Sequence, residues 1–172
     1  MKSMNVVVVS LVSMVAFTSA RQESPVCALL TAADIEAVTG GKTGAPVPGD
    51  NMIASSAANG QMRMCMWPVT AQTGQMTLST GVLPSGTSAT SLAKQSVGMM
   101  RQAKYTIEEK DYGNAWCGAA TPPASDKQAP ILTTCAGGAK GKIFSLSYMS
   151  STKKLALDQT KALLDKAISR QR

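Results

Sequence analysis

Histidine does not occur anywhere in this chain. Its absence removes the side chain that titrates nearest neutral pH and the commonest metal ligand. A Ser-His-Asp or Cys-His mechanism is therefore excluded, and so is any His-ligated zinc or iron site. Aromatic residues are scarce, at 4% of 172 residues. Leu, Val, Ile, Ala and the 11 Met must fill the core, and Met specifies packing less sharply than a ring does. Concentrated charge is missing too: the net +7 is spread along the chain, with Lys153-Lys154 the only adjacent basic pair. Nucleic-acid readers show a basic patch or a recognisable module, and neither is here, so no nucleic-acid partner is expected.

Long apolar runs are also lacking. The stretch Val6 to Phe17 is shorter than the ~18 residues a spanning helix needs, and no second candidate follows. Lys2 before it and Thr18-Ser19-Ala20 after it make it a secretory signal peptide instead. Cleavage after Ala20 separates a leader (residues 1–20) from a single exported domain (residues 21–172) with no membrane span, destined for the periplasm or the medium. The mature net charge is then +6, because Lys2 is the only charge before Arg21. Cys27 is the first Cys of that domain. Ser24-Pro25-Val26 before it is not a lipoprotein cleavage pattern, so Cys27 is read as oxidised rather than lipidated.

What is present reads as alternating helices and strands. Thr31 is a good N-cap with Asp34 three residues on, and Gly40-Gly41 supplies a stop, so residues 31–39 form a short helix with Leu30, Ile35 and Val38 inward. Part of Lys42 to Val47 pairs as a strand, and Asn59-Gly60 marks a turn. Gln61 to Pro68 is the expected central strand. Met62, Met64 and Met66 point one way, and Arg63, Cys65 and Trp67 the other. Bulk on both faces places it inside a covered sheet, and Pro68 is expected to end its pairing. Gln75 to Leu83 alternates as its hairpin partner, with Met76, Leu78 and Thr80 on one side.

A helix from Ala89 to Ala103 follows, capped by Ser88, with Leu92, Ser96, Met99 and Ala103 on one stripe and Ala93, Val97 and Met100 beside it. Gly98 weakens it by roughly 1 kcal/mol relative to Ala. Tyr105–Asp111, Asn114–Ala119, Ile131–Ala136 and Lys142–Met149 read as strands, the last two joined by residues 137–141. Leu155–Ser169 closes the chain as an amphipathic helix with Ala156, Leu157, Thr160, Leu163, Leu164, Ala167 and Ile168 buried. The order predicts an α+β domain: an antiparallel sheet packed against helices, an α/β sandwich stapled by disulfides.

Four Cys in an exported chain imply two bridges and allow three pairings. Cys117 and Cys135 flank a Pro-rich loop that their pairing would close, which leaves Cys27 with Cys65. The run Cys27-Ala-Leu-Leu-Thr-Ala-Ala-Asp-Ile-Glu-Ala-Val-Thr-Gly40, followed by Cys65-Met66-Trp67, resembles a large group of small exported bacterial proteins of unknown function, over residues 26–82. Many of that group are lipoproteins, and this chain departs from them in lacking the lipidation site. The resemblance implies an α+β sandwich with the first Cys bonded to the Cys of C-x-W, and it carries no catalytic residues. The group is similar in outline to sandwich folds of the photosystem-accessory and nuclear-import-factor type, which bind partners rather than catalyse.

Catalytic motifs fail on inspection. Ser91-Leu92-Ala93-Lys94 and Lys42-Thr43-Gly44 imitate elements of penicillin-recognising enzymes, but in the wrong order and without the third element. Gly41-Lys42-Thr43 lacks the Gly a phosphate loop needs five residues earlier, where Glu36 stands. Glu108, Glu109 and Asp111 are the carboxylates a hydrolase could use as acid and base, yet Glu108 and Glu109 face opposite ways on a strand. Trp116, beside the loop 118–130, is a candidate partner-binding anchor, or packs in the core against the neighbouring disulfide. No cofactor is implied. The expected function is non-enzymatic: binding a protein partner or a cell-envelope component.

A second reading rests on soft sulfur. Met62, Met64 and Met66 on one strand face could present thioethers to Cu(I), whereas a Met-packed core face needs no metal. Calorimetric titration with Cu(I) separates the two. Packing alone predicts equal heats for the natural chain and the Met62→Leu, Met64→Leu, Met66→Leu variant, and a saturating heat lost in the variant establishes a copper site.

Overall fold

The computed structural model describes residues 25–49, 62–70, 73–82, 88–126 and 128–171. The proposed leader and the Asn59-Gly60 turn lie outside them. A 3-10 turn, Cys27–Leu29, leads into α1 (Ala32–Thr39), and the strands and helices follow as β1 (Val47–Pro48), β2 (Arg63–Val69), β3 (Gly74–Val82), α2 (Ala89–Gln102), β4 (Thr106–Asp111), β5 (Ala115–Thr121), β6 (Ile131–Ala139), β7 (Lys142–Ser150) and α3 (Leu157–Arg170). The strands make one antiparallel sheet in the order β1-β2-β3-β7-β6-β5-β4. The chain works inward from one edge as far as β3. It then crosses the sheet through α2 to the opposite edge, and works inward again until β7 meets β3 along nine residue pairs, from Gly74 opposite Ser150 to Val82 opposite Lys142.

Strand alternation sorts the sheet into two unlike faces. One carries Cys65, Trp67, Met76, Leu78, Phe144, Leu146 and Tyr148, all buried beneath α1, α3 and the 3-10 turn. The other packs Trp116, Ala136 and Ile143 against Ala89, Ala93 and Val97 of α2. Both bridges are formed as expected. Cys27–Cys65 ties the 3-10 turn to β2 with a Cα separation of 5.2 Å. Cys117–Cys135 is a rung between residues directly opposite one another on β5 and β6.

Several expectations need correction. β2 is not central: it lies one strand in from the edge, and β7 occupies the middle. Its Met face is accordingly only half-buried. Pro68 does not end the pairing, since it sits opposite Gln75 and Val69 continues the strand. Its carbonyl accepts from Gly44 N–H at 2.8 Å, so its missing donor falls on the sparsely paired outer side. Part of the stretch 42–47 does pair, through an isolated bridge from Thr43 to Val69 and through Val47, which opens the two-residue β1 opposite Met66. In α2 the buried stripe is Ala89, Ala93 and Val97, while Leu92 and Met99 are 39% and 62% exposed. The bulk of Trp116 on the sheet below leaves room only for small helix residues there. β6 and β7 extend to a two-residue turn, Lys140-Gly141, with φ of 52° and 73°, the mirror-image turn that matches strand twist.

Helix ends follow their capping chemistry. Thr31 Oγ1 accepts from Asp34 N–H, and Asp34 Oδ2 accepts from Thr31 N–H at 2.9 Å. Gly40, at φ 72°, closes α1, and Lys153 Nζ donates to the Thr39 carbonyl at 2.7 Å. Asp34 does more than cap, because Lys166 Nζ lies 2.6 Å away and Arg170 donates to it from the last turn of α3. Burial works to raise the Asp34 pKa, but hydrogen bonds from Arg170, Lys166 and Thr31 outweigh it and hold the carboxyl well below the usual range.

Asp34 thus binds its proton more weakly folded than unfolded. Its contribution is complete above about pH 4 and is lost as the pH falls further. Replacing Asp34 with Ala should cost about 3 kcal/mol in urea unfolding at pH 7, the low end for breaking a buried pair, because both cations stay partly in water. The acid limb of the variant's stability curve should also be shallower than that of the natural chain. A parallel limb would show that Asp34 is not the group whose protonation destabilises the fold.

Candidate functional site

At the β2-start end of the sheet the main core opens into a cleft of about 1150 Å³, somewhat larger than the usual small-molecule site. Three neighbouring strands supply its floor. Arg63 begins β2, Thr80 stands opposite it on β3, and Lys142 begins β7 opposite Val82. The segment Pro25–Leu29 makes one wall, and Ser169, Arg170 and Gln171 at the end of α3 make the other. Arg170 clamps the walls together. Its Nη1 donates to the Leu29 carbonyl at 3.1 Å and to Asp34.

The lining is amphiphilic. Val26 and Leu29 are buried at its inner side, while Val82 is exposed at its mouth. Arg63 and Lys142 are exposed and have no carboxylate partner among the described residues. By strand spacing their Cα atoms are about 12 Å apart, so two long side chains can reach one group between them. Gln171 Oε1 is buried without a hydrogen-bond partner among the described residues, and the Thr80 hydroxyl faces the same space. Nothing here resembles a proton-transfer pair. The described lining holds no carboxylate; Asp34 pairs with Arg170 from behind and is held ionised, and Ser169 Oγ donates to the Lys166 carbonyl. The arrangement can hold an anion, and its described residues place no base beside a nucleophile.

The residues singled out from sequence lie elsewhere. Trp116 is not an exposed anchor: it is 2% exposed, under α2. Nor does it pack on the neighbouring disulfide, because Cys117 points to the opposite face. Its ring instead covers Gly118, where a Cβ would come within 2.5 Å of it. The three carboxylates are dispersed into surface ion pairs. Glu108 meets Lys154 on one face, and on the other Glu109 meets Arg101 at 3.2 Å and Asp111 meets Lys94 at 3.2 Å. Asp111 is held below its ordinary pKa by the Gly113 N–H first and by Lys94 second. Ser91 completes the Ser88 capping box while Lys94 pairs with Asp111, so the two ends of the S-x-x-K are engaged separately. Met64 and Met66 share the half-buried outer face of β2, and Met62 precedes the strand, exposed. The Met64 methyl lies against Gly49, where a Cβ would come within 2.7 Å.

The cleft residues were missed, yet they left a signal. Arg63 shares the parity of Cys65 and Trp67, and Lys142 that of Phe144 and Leu146. A charge on the core-facing parity at a strand's first residue marks a place where the core is open to water.

No family model matches this chain, and no curated protein matches its sequence. Among solved structures, its fold is similar to that of the extracellular domain of PknH from Mycobacterium tuberculosis. The TM-score is 0.54 at 10% identity, covering 83% of this chain and 92% of that one. At that identity the likeness is one of fold.

Proposed function

We propose that this chain is a non-catalytic recognition domain that works outside the cytoplasm and binds a cell-envelope component in the cleft. The observation that carries the reading is the cleft itself: preformed, amphiphilic, braced by Cys27–Cys65 and by Arg170, and furnished with polar groups that have no partner within the described fold. Two buried bridges suit an oxidising compartment. A leader at residues 1–20 would deliver the chain there, as in the small exported bacterial proteins its Cys27 and Cys65 motifs resemble. The extracellular placement named for the PknH domain is in keeping with this. The acids are spent on surface ion pairs rather than on one another, which favours binding over hydrolysis.

Ser169 is exposed on the cleft wall, so Ser169→Trp should fill the space without disturbing the core. Native mass spectrometry after incubation with an envelope extract is the test. The natural chain should retain a component that the filled variant loses at least tenfold, with unfolding midpoints matched. Identical spectra from the two proteins would place recognition elsewhere and end this reading.

A further inference from the structure

Among the described residues 13 Lys and Arg face 8 Asp and Glu, and of the five cations without an acid (Arg63, Lys104, Lys140, Lys142 and Lys153) three gather at the cleft. Asp34, Glu36, Glu108, Glu109, Asp111, Asp158 and Asp165 each have a cation within 4.0 Å. Arg63 and Lys142, by contrast, project at the cleft with no acid beside them. Lys140 adds a third positive group at the rim, donating to the Gln171 carbonyl at 3.2 Å. Arg170 shares Asp34 with Lys166 and is turned toward it, whereas Arg63 and Lys142 on the sheet side have no acid among the described residues. Val26, Leu29 and Val82 supply the apolar surface between.

We infer that the cleft takes an organic anion with an apolar body, its carboxylate or phosphate head between Arg63 and Lys142 and its body on Val26, Leu29 and Val82. The inference deepens the recognition reading and rests on it. An Arg guanidinium offers a planar pair of donors to either head group, and a Lys ammonium adds a point charge beside it. Thr80, buried in the floor beside Arg63, can donate a further hydrogen bond to the head. A simple inorganic anion would leave the apolar wall uncovered, and a neutral amphiphile would leave the two cations uncompensated.

Calorimetric titration of the oxidised protein with octyl phosphate, octanoate, octanol and inorganic phosphate tests each half of the statement. Octyl phosphate or octanoate should bind at least tenfold more tightly than octanol or inorganic phosphate, and the stronger of the two identifies the head group. Arg63→Gln combined with Lys142→Gln should abolish that advantage while leaving the weak octanol heat unchanged. Val82→Asp, an exposed change at the mouth, should weaken octanol through lost apolar contact and the anions further through added repulsion, so a folding defect in one variant does not decide the matter. Octanol binding as tightly as the anions, inorganic phosphate matching octyl phosphate, undiminished affinity in the double variant, or no binding at all would each overturn the inference. An uncharged envelope component retained by the natural chain and lost in Ser169→Trp would overturn it too, while leaving the recognition reading in place.

Discussion

Cys27 and Cys65 fasten a three-residue turn to a strand that lies one in from the edge of the sheet. The 3-10 turn is three residues long, far too short to persist through its own hydrogen bonds. β2 has a full partner on one side only, because β1 is two residues long. The bridge joins these weak elements to each other and brings Trp67 into the core beside them. It also sets the cleft, since Pro25–Leu29 forms one wall and Arg63, two residues before Cys65, belongs to the floor. Cys117–Cys135 does something different with the same chemistry, as it reinforces two strands already paired over six residues. In the loop-entropy account the separations of 38 and 18 residues are worth about 4 and about 3 kcal/mol. The two bridges are therefore comparable in stability and unlike in what they position.

The second constraint is the crossing of α2. It sends the chain from β3 to the far edge, so the sheet is completed only when β7 pairs with β3. Arg63, Thr80 and Lys142 become neighbours through that pairing. The crossing also divides the two faces by size. Large side chains fill the face under α1 and α3, whereas small ones admit α2 above Trp116, with Gly118 beneath the ring. Beyond α2 that face is lined by half-buried Thr77, Ser79, Ser145 and Ser147, with Ser147 and Thr134 hydrogen-bonded at 2.9 Å.

Local chemistry made much of this fold readable in advance. The Thr31–Asp34 box, the Gly40 stop, the alternation of Met76, Leu78 and Thr80 and most of the stripe of α3 are each decided by residues a few positions apart and are observed. Ala156, expected inside, is exposed just before the helix, and Ile168 is half-buried. Failures arose where a distant residue decides. Leu92 and Met99 look more apolar than Ala89 and Ala93, and only the presence of Trp116 beneath the helix reverses the choice. Pro68 ends a strand in general but not where its nitrogen faces an almost empty edge. The cleft was least legible of all. It gathers residues 25–29, 63, 80–82, 142 and 169–171, and no spacing in the sequence announces the β2-β3-β7 order that unites them. Only the parity of Arg63 and Lys142 hinted at it.

The central claim is that one bridge builds the cleft while the other supports the sheet, and amide hydrogen exchange tests it without any ligand. In Cys27→Ala with Cys65→Ala, protection should be lost at residues 26–30 and at Gln171, and kept along β5, β6 and β7. In Cys117→Ala with Cys135→Ala, stability should fall by a similar amount, yet residues 26–30 should stay protected up to global unfolding. Native-like protection of residues 26–30 without the first bridge, or its loss without the second, would contradict the account.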